Sequence, residues 1–183
     1  MSQIKVDSLV PRGGIPAGAD GGGIIQCVQT VMTAKTSQSV TAGRANWTNI
    51  TNFSLSITPS SSSSKIILWA DFIASTNGSH YLMSAFRWTR NGSAISGALG
   101  PTETNFEPAS YSHARGSYDN NGAYFVNMHY LDSPATTSSI TYRLQQTGER
   151  TGSFYMNRPN FNYANTNYSQ NPISTFTALE VSG

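Results

Sequence analysis

The stretch FSLSITPSSSSSKIILWADFIA, residues 53–74, decides the fold class. Phe53, Leu55 and Ile57 alternate with Ser54, Ser56 and Thr58, the period of a strand with one face in a core and one in water. Pro59 and the serines at 60–64 then break the chain into a loop. Lys65-Ile66-Ile67-Leu68-Trp69-Ala70-Asp71-Phe72-Ile73-Ala74 follows, apolar on both parities at its start, the pattern of a strand covered on two sides.

The same signal spreads in both directions. Ile24 to Met32 is rich in β-branched residues and partly alternates. Tyr81 to Arg90 runs into Asn91-Gly92, the strongest short hairpin signal, with Ala94 and Ile95 on the return strand. Tyr124 to Leu131, Ile140 to Gln146 and Phe176 to Val181 complete about eight strands. No helical i, i+3, i+4 stripe of useful length interrupts them. The expected fold is all-β: a single β-sandwich, jelly-roll-like head over residues 24–183, with long loops at Gly97–Asn121 and Asn157–Pro172.

Residues 1–23 read differently. Ile4, Val6, Leu9 and Val10 are spaced as in a strand, and Pro11, Pro16 and six glycines between 13 and 23 exclude a helix. Such a segment is either a disordered tail or an extended N-terminal anchoring arm that folds against another protein, and its regular apolar alternation favours the arm.

Composition bounds the function. Charged residues make up 11% of the chain, against about 25% in ordinary soluble proteins, so the surface is built from Ser, Thr, Asn, Gln and Gly. Its formal net charge of +2 comes from basic residues scattered singly, which argues against a nucleic-acid partner. No run reaches the ~18 apolar residues of a membrane helix, and no apolar core follows Lys5 as in a secretory signal, so no membrane insertion is expected. One cysteine, Cys27, excludes an intrachain disulfide framework and is expected to be a buried free thiol.

Reactive chemistry finds little support. His80, His113 and His129 lack metal-ligand spacing, which leaves only a ring of one histidine per subunit about a symmetry axis. No Gly-x-Ser-x-Gly elbow occurs. Glu103, Glu107, Asp119 and Asp132 are the candidate acids for glycoside cleavage, and their neighbours place them in solvated loops. The expectation is a non-enzymatic protein with no catalytic residue, metal or cofactor.

The binding signal lies at Tyr155–Asn171, where aromatic rings interleave with amides. Flat apolar rings stack on sugars and amides pair with hydroxyls, and the same vocabulary serves protein-binding loops. Tyr155, Arg158, Phe161, Tyr163 and Tyr168 are the candidate ligand or receptor residues. A loop folded over the end of the sandwich to bury its own rings would need the same aromatics.

Three places resemble small bacteriophage virion proteins of the tail-fibre and head-fibre type found in marine phages. Ile4-Lys5-Val6-Asp7-Ser8-Leu9-Val10-Pro11, with Gly13-Gly14-Ile15-Pro16 and Gly22-Gly23-Ile24-Ile25-Gln26, looks like that group's arm and first strand. Leu55-Ser56-Ile57-Thr58-Pro59 through Lys65-Ile66-Ile67-Leu68 is similar to its next two strands, and Thr177-Ala178-Leu179-Glu180-Val181 to its closing strand. The resemblance implies a homotrimer of β-sandwich heads on the virion surface, fixed to other virion proteins by the arm. Edge protection agrees, since copies closing around an axis could hide Ile24, Val28, Leu179 and Val181. A monomer with its termini paired in one sheet is the alternative. Two roles fit: a fibre head binding host-surface glycan without cleaving it, or a capsid decoration or cementing knob.

Overall fold

In the computed structural model, the described residues are 23–77, 84–113, 123–159 and 172–182, with the side chain of residue 77 left aside. They form eleven strands: β1 (Ile24–Met32), β2 (Thr36–Val40), β3 (Thr48–Ile57), β4 (Lys65–Asn77), β5 (Ser84–Arg90), β6 (Ser93–Ala94), β7 (Tyr111–His113), β8 (Tyr124–Asp132), β9 (Ile140–Gly148), β10 (Gly152–Met156) and β11 (Ser174–Val181). A single 3₁₀ turn, Ser96–Ala98, is the one helical element among the described residues. The Asn91-Gly92 hairpin is present between β5 and β6, with φ of 50° and 85° as a type I′ turn requires.

Several strands are collinear halves of one line. β1 pairs with β11 and β2 with β10, while β10 and β11 both lie along the same edge of β4, at Ala74–Asn77 and Lys65–Asp71. Likewise β6 and β7 share the free edge of β5. Merging these halves leaves eight lines in two antiparallel sheets. The first runs β1/β2, β10/β11, β4, β8, and the second β3, β9, β5, β6/β7. Numbered along the chain, line 1 pairs with 8, 2 with 7, 3 with 6, and 4 with 5. The chain is folded in half as a ribbon and wound around itself, which is the wiring of a jelly roll.

The core lies between the sheets. Ile66, Leu68, Ala70, Phe72 and Ala74 of β4 face Phe53, Leu55 and Ile57 of β3 and Phe86 and Trp88 of β5, all buried. Edge-to-face rings knit the layers, with centroids 5.1 Å apart for Phe72 and Phe86 and 5.7 Å for Phe53 and Phe72. At one end a polar clasp joins the sheets. Buried Asp132 of β8 accepts two bonds from Arg90 Nη1 of β5, at 3.1 and 3.0 Å, and one of 2.6 Å from the Tyr142 hydroxyl of β9. Burial and the Asp132 bond together push the Tyr142 hydroxyl pKa well up.

Three expectations need correction. Cys27 is exposed, because a bulge between Ile24 and Gln26 sets the phase of β1 so that Val28, Thr30 and Met32 point inward. β4 is covered on one side only within the chain: Trp69 is 49% exposed, so the apolar residues of both parities mark an outer face that the chain itself leaves open. Asp132, read as an acid in a solvated loop, is instead the centre of the buried clasp, because the preceding residues carry it to the end of an inward-facing strand line.

Candidate binding surfaces

The two collinear strands β10 and β11 meet at a buried joint. Asn157, with φ of 58°, donates from Nδ2 to the carbonyls of Met32 (2.7 Å) and Ala34 (3.1 Å). Its Oδ1 accepts from the Ser174 hydroxyl at 2.6 Å, and its amide donates to the Ile73 carbonyl at 3.0 Å. Beside this joint lie two of the five candidate receptor residues. Tyr155 stands on β10, and the Arg158 guanidinium stacks 4.6 Å from the centre of its ring. The Ser75 hydroxyl, donating 2.8 Å to the Arg158 carbonyl, fixes the backbone there. Phe161, Tyr163 and Tyr168 lie outside the described residues, as do Ile4, Val6, Leu9 and Val10 of the arm.

The outer face of the first sheet is the second surface. Cross-strand register aligns Cys27, Leu179, Ile67 and Leu131 in one row from β1 to β8. The next row is Gln29, Thr177, Trp69 and His129, and Ile73 stands beside Phe125 beyond it. Val181 adds to the face at one end. Leu131 is 48% and Phe125 59% exposed. Of the four residues expected at a subunit interface, Leu179 and Val181 belong to this face and Ile24 is exposed at its edge strand. Val28 packs inward against the chain's own core. The first and last described strands, β1 and β11, therefore pair within one sheet and leave the strip beside them open.

The third surface has no local signature in the sequence. Residues 42–47 and 103–109 fold over the outer face of the second sheet and enclose a cleft of about 370 Å³ with the ends of β5, β7 and β9. Trp47 and Phe106 supply rings, and Arg44, Glu107 and Glu149 supply charge. Side-chain bonds tie the walls together. The Trp47 indole N–H donates 3.2 Å to Glu107, Arg44 donates to the Asn105 carbonyl, and Arg44 lies 3.9 Å from Glu149. Arg87 on β5 stacks 4.4 Å from the centre of the Trp47 ring and donates 2.8 Å to Gln145. Burial pushes the Arg87 pKa down, and the Glu107 charge partly restores it. These residues come from segments up to about a hundred positions apart, so sequence reading singled out Glu107 as an acid in a solvated loop but missed the cleft it helps to line.

His80 lies outside the described residues; His113 stacks on Tyr124 with ring centres 4.1 Å apart, and His129 is exposed on the first sheet's outer face. Among the described residues, no group of three or more His, Cys, Asp or Glu side chains is placed to hold a metal ion.

These features define an all-β jelly-roll domain with three candidate binding surfaces. No family model and no curated protein sequence matches the chain. Among solved structures it is similar to infectious bursal disease virus, Gt strain, at 12% identity and a TM-score of 0.41, over 98% of this chain and 43% of that one. It is similar to the VP2 subviral particle of that virus at 11% identity and a TM-score of 0.39, over 86% and 38%. For the T13 particle of the virus the values are 10%, 0.40, 87% and 38%. The chain spans less than half the length of each.

Proposed function

We propose that the chain is a structural protein of a bacteriophage particle: a trimeric tail-fibre or head-fibre head, attached through its N-terminal arm to other virion proteins. It binds host-surface glycan and performs no chemistry on it. One observation carries the assembly part, the apolar outer face of the first sheet. Monomeric proteins rarely leave Trp, Phe and Leu contiguous and half-exposed across several strands. The face of Ile67, Trp69, Phe125, Leu131 and Leu179 has the composition of a surface covered in an assembly. Three copies around an axis would close over it without leaving an open edge for further growth.

The virion part is supported by the resemblance of residues 4–26, 55–68 and 177–181 to small phage fibre proteins, and by a jelly roll whose surface is poor in charge. Receptor contact in this reading falls to Tyr155 and Arg158 at the β10 joint, with Phe161, Tyr163 and Tyr168.

Phage particles carrying a gold label at the C-terminus of this chain test the proposal. Label on the tail supports the fibre head, label on the shell supports the decoration role, and unlabelled particles overturn the virion reading. Replacing Phe161 and Tyr163 by Ala should abolish adsorption while the trimer persists; unchanged adsorption removes this receptor site.

A further inference from the structure

We infer that the cleft between residues 42–47 and 103–109 is a binding site for an uncharged sugar, on the sheet opposite the assembly face. The inference deepens the glycan-binding part of the proposal above and rests on that reading for the source of the sugar; the chemistry of the cleft stands by itself.

Its volume of about 370 Å³ falls within the range of small-ligand sites, about 300–1,000 Å³. Phe106 is 70% exposed, although it sits on a folded turn and not at a loose end. Its amide donates 3.1 Å to the Glu103 carbonyl, Asn105 takes the positive φ of 70° that makes this turn, and Gly100 and Ala109 close the base of the loop. The ring is thus held out at the cleft by backbone that is itself bonded. Such a flat apolar surface beside hydrogen-bonding groups suits a pyranose, which has an apolar face of C–H groups and an equator of hydroxyls.

The polar groups fit the equator. Glu107 and Glu149 are acceptors for hydroxyl protons, and Arg44 is a donor. Arg44 is engaged by Glu149 and Asn105, and Arg87 by the Trp47 ring and Gln145, so both guanidiniums already have partners and an anionic sugar is disfavoured. The walls are cross-tied by the Trp47–Glu107 and Arg44–Asn105 bonds, so the side chains need little ordering when a ligand arrives.

The test is saturation-transfer NMR on the whole chain with the methyl glycosides of glucose, galactose, mannose and N-acetylglucosamine, each titrated to about 10 mM, where weak monosaccharide binding becomes visible. Saturable binding of at least one sugar is expected. It should weaken at least about tenfold in Phe106→Ala and in Glu107→Gln, and persist in Ser56→Ala, at the far end of the same sheet. Absence of saturable binding, or equal binding by wild type and Phe106→Ala, overturns the inference. So does a Phe106→Ala variant that changes the mass of the particle in solution with sugar binding intact, since the ring would then serve a protein contact. Loss of binding in Tyr155→Ala alone would return the receptor site to the β10 joint. Labelled particles without sugar binding would retire the cleft and leave the virion reading standing.

Discussion

Asn157 does three jobs with one side chain. It accepts from Ser174, donates to two carbonyls of the β1–β2 connection, and tolerates a left-handed backbone that most residues avoid. Each bond is worth about 1 kcal/mol net, and the carbonyls left behind are buried. Asn157→Ala should therefore lower unfolding stability by about 3 kcal/mol, read as a shift in the urea midpoint at constant slope. Glu180 is a second residue of this kind. Burial pushes its carboxyl pKa up, but the Ser60 hydroxyl and amide, both at 2.6 Å, together with Ser64 and the Ser61 backbone, outweigh that and hold it below the ordinary value of 4.5. A carboxyl with a lowered folded-state pKa stabilises the fold above its unfolded value, and that contribution is lost as pH falls through the folded one. Thermal melts between pH 6 and pH 3 should show wild type losing more stability on acidification than Glu180→Gln. Parallel curves would remove this role. The serines at 60–64 are legible as a loop in sequence, but not as donors to a glutamate 120 positions away.

At the scale of elements, the Arg90–Asp132–Tyr142 clasp joins the ends of β5, β8 and β9 across the two sheets. Breaking a buried pair leaves an uncompensated charge, so Asp132→Ala should cost about 3 kcal/mol or more. Tyr142→Phe removes one donor and should cost about 1–2 kcal/mol, measured by denaturant unfolding. Strands that alternate or carry an Asn-Gly turn were readable directly: β1, β3, β4, β5 with β6, β8, β9 and β11. The strands that escaped sequence reading are β2, β7 and β10. Thr36-Ser37-Gln38-Ser39-Val40 has too few apolar side chains to show a period, and Tyr111–His113 is three residues long. They are strands because they continue a line already laid down by β1, β6 or β11, a property of tertiary pairing. Hence the long loop expected at Gly97–Asn121 contains a short strand, and Tyr155, the first residue of the aromatic-amide stretch, lies on β10.

For the whole molecule, the nesting of line 1 with 8 and 2 with 7 means that the outermost pairs form between opposite ends of the chain. Contacts so distant in sequence must overcome loop closure before they stabilise anything, and refolding should occur in milliseconds to seconds, as stopped-flow tryptophan fluorescence can check. Alternation in sequence told which residues could face a core but not which apolar residues the folded chain leaves on its outer face. That is why Leu179 and Val181 were named as interface candidates from strand ends, whereas Trp69, Phe125 and Leu131 join them on the outer face only through the register of β4 with β8. Leu131→Glu sets a charge in the middle of the outer row. Light scattering should then report a single-copy mass where the proposed trimer gives three, with the melting temperature of the separated chain otherwise preserved. A wild type that is already single-copy would refute the trimer.

The joint at Asn157 also says something about change over time. Because the backbone departs from the sheet at Asn157 and re-enters it at Ser174, and those two residues are bonded to each other, whatever spans them is soldered shut at its base. Doubling the length of such a span adds only about 0.6 kcal/mol of closure entropy. The sandwich is thus insulated from the sequence it carries there, and foreign peptides grafted between these two positions should be borne without unravelling the strands on either side.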